Sequence, residues 1–423
     1  DMKLLNGLLV LLITLALVNA NGAEKLPQRY WPTWRGPLQT GVSSAGSYLS
    51  SWTTEENVLW KVDLPGIGCS TPAVFGDKIF VTSGSGEKDA LLAFDWDGEQ
   101  IWSNEVGSQI KGKHRNGSGS NPSPVTDGKF VYCYFKSGNL AAIDFTGKTV
   151  WKMNLQQRYG NVSLFWDLGN SPVLTRDSVI VAVMHAGDSY VVSLDKKTGN
   201  VNWKIDRNYE TPVEGDHGYS TPILIERDGV ESIVVWGGEH LTAYDVDSGK
   251  LLWTCGGFNP DNKTYWVTVS SIVIVDDVAV VPYGRGARLA GIKLGGSGDV
   301  TESHRLWTVH EKGSFVPTPV AHEGRVYVLR DSGQLVCVNP KTGDTIWEGQ
   351  FPRRSTKYYS SPVIADGKVY AAREDGVIMV ANIKDGFKFL GENDMQQRLV
   401  ACPVPVGNKI LIRGEQQLFC IGK

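Results

Sequence analysis

The chain has 423 residues, a formal net charge of −3, and 21% charged against 41% hydrophobic residues. This composition is typical of a folded globular protein and is too apolar for a disordered chain. A net charge so close to zero provides no basic field that would attract nucleic acid. Two residue counts are high, 48 glycines and 14 tryptophans, and both indicate a fold that uses these residues repeatedly.

The first predicted element is an export signal. An apolar run from Leu4 to Val18 follows Lys3 and ends at small-residue cleavage sites. The pattern predicts a secretory signal peptide over residues 1–23, because the run is too short to span a bilayer well. We therefore expect an exported protein, periplasmic or secreted, with no membrane span and with an N-terminal extension over 24–57. The six cysteines form no CxxC and no adjacent pair, so we expect most of them to be buried thiols.

From residue 58 onwards the chain repeats one unit. Each unit opens with a Ser/Thr-Pro-like element, continues through short strands rich in Val, Ile, Tyr and Ala, and closes with an Asp-turn-Gly-x-x-Trp element. The closing positions are 60, 102, 151, 203, 253, 307, 347 and 390, which are 40 to 54 residues apart. Eight openings and eight closings, with four strands per unit, predict an all-β fold: an eight-bladed β-propeller of four-stranded antiparallel blades over residues 58–423.

The two ends of the repeat region predict how the ring closes. The last unit, Val400–Ile421, has room for three strands, and the first closing strand, Val58–Leu64, has no unit before it. Pairing them would complete the last blade and remove two exposed sheet edges. In each blade we expect the closing Trp to pack against the next blade, where burial of an indole contributes up to about 5 kcal/mol.

The closing element resembles the motif of a known superfamily. Ala243-Tyr-Asp-Val-Asp-Ser-Gly-Lys-Leu-Leu-Trp253 resembles the tryptophan-docking motif of quinoprotein-like eight-bladed propellers, and Trp31-Pro-Thr-Trp-Arg-Gly-Pro37 looks like a segment of exported PQQ-like repeat proteins. The superfamily includes pyrroloquinoline-quinone (PQQ) dehydrogenases and the propeller lipoprotein of the outer-membrane assembly machinery. This chain lacks the adjacent cysteine pair and long insertions of the dehydrogenases and the lipidated cysteine of the lipoprotein. The resemblance therefore implies the fold and leaves the activity open.

Long loops mark the face where a site is expected. They join the outer strand of one blade to the inner strand of the next, so they share one face of the ring, where binding residues usually lie. One group is basic and suits an anionic ligand, although a solvated basic rim is the simpler interpretation. A second group combines aromatic rings, carboxylates and a histidine, which suits a pocket mouth, although loop packing explains it equally well. The candidate ligand or partner face consists of Lys113, His114, Arg115, Trp166, Asp167, Asp216, His217, Trp266, Arg285 and Arg288.

Two functions fit these features. The favoured one is a non-enzymatic, monomeric propeller that acts as a binding or scaffold module for proteins or cell-envelope components, with no cofactor, no metal and no catalytic residue. The alternative is a divergent PQQ- and calcium-dependent oxidoreductase acting on alcohols or sugars, with the cofactor in the central funnel and Lys113 or Arg285 on the quinone carboxylates. Carbohydrate binding by the aromatic loops is a third hypothesis, which no residue spacing supports.

Overall fold

The computed structural model describes residues 29–227 and 229–423. The predicted signal peptide and the start of the predicted extension, residues 24–28, lie outside the described residues. Within them the chain forms eight antiparallel sheets of four strands each, to which three short additional strands are added. The predicted eight-bladed β-propeller is therefore confirmed, and blades are numbered here from the sheet that begins at Ala73.

The strand bounds follow the repeat closely. From the inner to the outer strand, blades 1 to 4 comprise Ala73–Phe75, Lys78–Ser85, Lys88–Phe94 and Gln100–Ser108; Val125–Thr126, Phe130–Tyr134, Asn139–Asp144 and Thr149–Asn154; Val173–Leu174, Ser178–Val183, Tyr190–Asp195 and Val201–Asp206; and Ile223–Arg227, Val230–Gly237, His240–Asp245 and Leu251–Cys255. Blades 5 to 8 comprise Val273–Val275, Val278–Tyr283, Arg288–Lys293 and Arg305–His310; Val320–His322, Arg325–Leu329, Gln334–Val338 and Thr345–Gln350; Val363–Ala365, Lys368–Ala372, Val377–Asn382 and Lys388–Asp394; and Val404–Val406, Lys409–Arg413, Gln417–Ile421 and Val58–Asp63.

Three short strands and two short helices complete the described structure. The strands are Tyr30–Trp31 on blade 1, Val42–Ser43 on blade 7 and Gly298–Asp299 on blade 4, and the helices are Leu155–Tyr159 and Thr301–His304. Among residues 29–227 and 229–423, no helix is long and apolar enough to cross a membrane.

Burial differs between the middle and outer strands for a physical reason. Every residue of Ser178–Val183 is buried, whereas Val58–Asp63 alternates between half-buried and exposed side chains. A middle strand is covered by neighbouring blades on both faces, so its sequence is continuously apolar. An outer strand contacts a neighbour with alternate residues, as the two-residue side-chain period requires.

Tryptophans lock neighbouring blades together as the repeat predicts. Trp102 Nε1 donates to Phe145 O of the next blade at 3.1 Å. Its indole lies against Gly147, where a Cβ atom would be 2.7 Å from the ring. Four further pairs repeat this arrangement: Trp60 on Gly98, Trp151 on Gly199, Trp203 on Gly249 and Trp307 on Gly343. The turn glycine is thus needed both for its positive φ and for the space its missing side chain leaves.

The ring closes through its N-terminal strand. Val58–Asp63 pairs antiparallel with Gln417–Ile421 and forms the outer strand of blade 8, which confirms the predicted closure. Strands from both ends of the repeat region thereby share one sheet, so neither end leaves an open sheet edge between blades 8 and 1.

The segment before this strand crosses the central channel. Tyr30–Trp31 pairs with the inner strand of blade 1, Gln39 exchanges two hydrogen bonds with Leu224 of blade 4, and Val42–Ser43 pairs with the inner strand of blade 7. These contacts lie toward the ends of the inner strands that lead into the short turns. The segment therefore closes the channel at the turn face, and the long loops surround its other end.

A ring of hydrogen bonds surrounds the channel where the inner strands begin. The backbone N–H of Thr71 donates to Ser123 Oγ of the next blade at 2.9 Å, and the equivalent residues continue this pattern from blade to blade. The bonds continue through Ser123, Ser171, Thr221, Ser271 and Thr318 to Ser361, and Cys402 N–H donates to Thr71 Oγ1, so seven of the eight neighbouring blade pairs are linked in this way. These are the Ser/Thr opening elements of the repeat, so their sequence signal reflects a structural role at the axis.

Candidate functional site

A funnel of about 300 Å³ lies on the axis above the crossing segment. Trp34 of the crossing segment contributes to its lining, as do ring residues such as Ser123 and Ser171. Four different blade connections contribute aromatic side chains to the lining: Trp166, Tyr219, Phe315 and Tyr359. The site is therefore a concave, largely apolar cavity with a few polar groups, which is the usual form of a ligand site.

Asp167 organises one wall of this funnel. Its carboxylate accepts the backbone N–H groups of Lys113 and His114, at 2.9 to 3.0 Å. It also forms an ion pair with Lys136 Nζ at 2.6 Å, and its side chain is almost fully buried. Because these partners occupy both oxygens, the carboxylate fixes the 110–118 loop against the loop that precedes blade 3, and these charge-assisted bonds offset the cost of burying it.

His114 is oriented by its surroundings. Its Nδ1 atom accepts the Asn116 N–H at 3.2 Å, and its ring meets the Trp166 indole edge-on with centroids 4.3 Å apart. Burial lowers the pKa of His114, with nearby charges of both signs acting on it. A neutral imidazole that accepts at Nδ1 carries its proton on Nε2, so His114 provides a hydrogen-bond donor and an apolar face to the funnel.

Hydrogen bonds join the three long loops that lead into blades 3, 4 and 5, and we call these joined loops the platform. Trp166 N–H donates to Tyr219 Oη at 2.8 Å, Tyr219 N–H donates to Thr268 O at 2.9 Å, and Tyr265 N–H donates to Val213 O at 2.7 Å. These contacts hold three long loops in a fixed arrangement. A surface ordered in this way loses little conformational entropy when it binds a partner.

The structure brings four of the predicted residues together in the funnel: His114, Trp166, Asp167 and Arg285. Lys113 lies behind the wall, since its Nζ donates to Leu164 O. Arg115 is on the rim, where it pairs with Glu374 at 3.2 Å. The remaining four lie outside the lining. Asp216 and His217 are adjacent to the platform, and Trp266 stacks under Arg288, which pairs with Asp261 at 3.0 Å.

The sequence did not identify three of the aromatic contributors to the funnel. Trp34 comes from the N-terminal extension, which the repeat analysis treated as lying outside the propeller. Phe315 supports Arg285, whose guanidinium lies 4.3 Å from the ring centroid. Tyr359 reaches the funnel from the connection between blades 6 and 7. The dense Trp31–Pro37 motif was the available signal for the first of these, because aromatic and proline residues accumulate where a segment packs.

The funnel residues do not match the requirements of a calcium-bound quinone. Calcium takes six to eight oxygen ligands, usually with carboxylates among them. The carboxylate in the lining, Asp167, is already held by Lys136 and two backbone amides. The two cysteines of the lining, Cys69 and Cys402, are separate free thiols, and burial raises the pKa of Cys69 to about 11. No catalytic step through such a cofactor follows from these residues.

The fold and the site together define a class: an eight-bladed, tryptophan-docked propeller with a funnel on its long-loop face. A PQQ-like repeat family model, described as outer membrane protein assembly factor BamB, matches residues 40–219, 146–304 and 298–389. The chain belongs to this family, which confirms the superfamily resemblance.

Curated relatives include two kinds of protein. A lanthanide-dependent methanol dehydrogenase of Methylorubrum extorquens is 30% identical over 154 residues, covering 34% of this chain and 25% of that protein. The outer membrane protein assembly factor BamB of Yersinia pestis is 24% identical over 260 residues, covering 59% of this chain and 60% of that protein. The match thus spans a quarter of the length of the first relative and 60% of the second.

Solved structures of both kinds of protein share the fold of this chain. BamB from Moraxella catarrhalis superposes with a TM-score of 0.63 at 16% identity, covering 86% of this chain and 97% of that one. A europium-containing methanol dehydrogenase superposes with a TM-score of 0.70 at 13% identity, covering 94% and 98%. At these identities the similarity concerns architecture.

Proposed function

We propose that this chain is an exported binding module that holds a protein or another cell-envelope component against its long-loop face. The observation that carries the proposal is the apolar platform beside the funnel. Phe165, Val213 and Tyr265 are 56%, 60% and 54% exposed, although all three belong to loops fixed by hydrogen bonds. Exposed apolar groups on an ordered surface are typical of interaction sites.

The charged groups of the funnel support binding rather than proton transfer. Asp167, Lys113 and Lys136 hold loops together through bonds to one another or to backbone atoms. Arg285 lies across Phe315 and donates to Tyr265 O at 3.4 Å. Basic side chains in and around the funnel, among them Arg115, Arg285 and Arg288, favour a partner that presents carboxylates or phosphates near an apolar contact. BamB relatives, named as outer membrane protein assembly factors, support a role in the cell envelope.

Capture from a solubilised envelope extract tests the proposal. A triple variant Phe165→Ser, Val213→Ser and Tyr265→Ser removes the platform. A matched control, Leu251→Ser with Ile346→Ser, removes apolar groups from outer strands that are also exposed. We expect the platform variant to capture at least tenfold less of each partner that binds saturably. The control should capture as much as the wild type. Equal capture by the two variants would contradict the proposed face.

The alternative, a divergent PQQ- and calcium-dependent oxidoreductase, is favoured by the size of the funnel and by the methanol dehydrogenase relative. Titration of the purified chain with PQQ and Ca²⁺ separates the two functions. The alternative requires saturable quenching of tryptophan fluorescence that weakens in Trp166→Phe, together with dye-linked oxidation of an alcohol or sugar. The binding module predicts neither signal.

A further inference from the structure

Arg35 places a guanidinium in the interior of the propeller. It is 4% exposed and belongs to the segment that crosses the channel. Its Nη2 donates to Pro319 O at 3.3 Å, whereas Nε and Nη1 are buried without a hydrogen-bond partner. The ion pairs formed by residues 29–227 and 229–423 do not include Arg35. A buried charge in this situation requires compensation, because its desolvation is expensive.

A cavity of about 30 Å³ adjoins this guanidinium. Trp34, Arg35 and Gln39 line it on one side, and the opening residues of blades 3 to 6 line it on the other. This volume is the space open to the centre of a water-sized sphere, and one water molecule needs about 10–15 Å³ by that measure. The cavity can therefore accept a monatomic ion.

The polar groups that line the cavity are hydrogen-bond donors. Besides Arg35, they include four hydroxyls of the axial ring: Ser171, Thr221, Ser271 and Thr318. Each of these hydroxyls accepts a backbone N–H from the preceding blade, at 2.8 to 2.9 Å. Among the hydrogen bonds of the described residues, none uses the protons of these four hydroxyls, so each keeps an O–H group that is free to donate. The other lining residues, such as Pro172, Ile223 and Ile272, are apolar.

We propose that this cavity is a halide site in which chloride balances the charge of Arg35 and links the crossing segment to the inner strands. A weakly hydrated guanidinium and hydroxyl donors in an apolar enclosure suit a large, polarisable monatomic anion. The Cys402 side chain is also close enough to Arg35 to act on its guanidinium. The proposal does not depend on the function of the loop face.

Bromide provides the direct test. Crystals of the full chain grown in sodium bromide should show an anomalous peak beside the Arg35 guanidinium. Urea unfolding should be measured in chloride, with sodium gluconate keeping the ionic strength constant. At chloride concentrations above the dissociation constant of the site, a tenfold rise in chloride should lower the unfolding equilibrium constant tenfold. This follows when one ion binds the folded state.

Three variants complete the test. Arg35→Met should abolish the chloride dependence, Arg35→Lys should retain part of it, and the exposed control Arg176→Met should retain all of it. Cys402→Ser should keep the dependence, because the ion and not the thiol balances the charge. If Arg35→Met does not fold, the bromide peak and the chloride dependence of unfolding in the wild type still decide whether the ion binds. Density for water alone, or a bromide peak at crystal concentration without any effect of chloride on unfolding, would overturn the proposal.

Discussion

Lys136 Nζ lies 2.6 Å from the Asp167 carboxylate, and this buried pair joins blade 2 to the loop that precedes blade 3. The same carboxylate accepts two backbone N–H groups from the 110–118 loop. One side chain thus holds together three pieces of the funnel wall. The sequence places Asp167 among the candidate pocket-mouth residues, and its partners in the structure give it a positioning role.

The first prediction concerns this ion pair. Asp167→Asn leaves the Lys136 ammonium mostly buried without its partner, so the free energy of unfolding should fall by about 3 kcal/mol. Urea denaturation measures the loss. Asp206→Asn is the control, because Asp206 is largely exposed in its ion pair with Lys204. That pair should contribute less than about 1 kcal/mol. Equal losses in the two variants would show that Asp167 does not organise the wall.

The second prediction tests the tryptophan docking. Gly147 has a φ of +91°, and a Cβ there would meet the Trp102 ring at 2.7 Å. Gly386 has a φ of +107° and open space around its Cβ position. Alanine is strained at both positions, but only Gly147→Ala also displaces an indole. It should therefore lose about 1–3 kcal/mol more stability than Gly386→Ala in urea denaturation. A difference near zero would mean that the indole moves freely.

The third prediction is a pH dependence of stability that arises from Asp89. Burial raises the pKa of this carboxyl to about 6 from an ordinary value of 3.8, although hydrogen bonds from Ser137 and Asn139 oppose the shift. Between these values the folded state binds more protons than the unfolded state. The contribution of Asp89 to stability is therefore fully present below about pH 3.8 and is lost as the pH rises through 6.

Asp89→Asn removes this titration while keeping the shape of the side chain. Its stability should exceed that of the wild type by about 1–3 kcal/mol at pH 8 and match it near pH 4. Chemical denaturation at several pH values measures the difference. A variant that is less stable than the wild type at pH 8 would show that the ionised carboxylate is favourable in its present surroundings.

Sequence and structure agree where one residue type has one physical task. The blade-closing Trp and the turn Gly of the next blade form such a pair, and both recur often enough to give the blade number. The funnel was harder to predict, because its residues come from different repeats and meet only when the ring closes. Trp166 was identified as a candidate, whereas Trp34 was not, since no periodic pattern connects a crossing segment to the axis.

The last prediction separates the crossing segment from the closing strand. A chain that starts at residue 53 keeps the outer strand of blade 8 but loses the segment that contacts the inner strands of blades 1, 4 and 7. We expect it to fold with lower stability and with faster amide hydrogen exchange in those inner strands. A chain that starts at residue 65 also loses Val58–Asp63, exposes the edge of Gln417–Ile421 and should aggregate. The chain that starts at Glu24 is the reference. If the chains starting at 24 and 65 are equally stable by urea denaturation and light scattering, the N-terminal strand does not close the ring in solution.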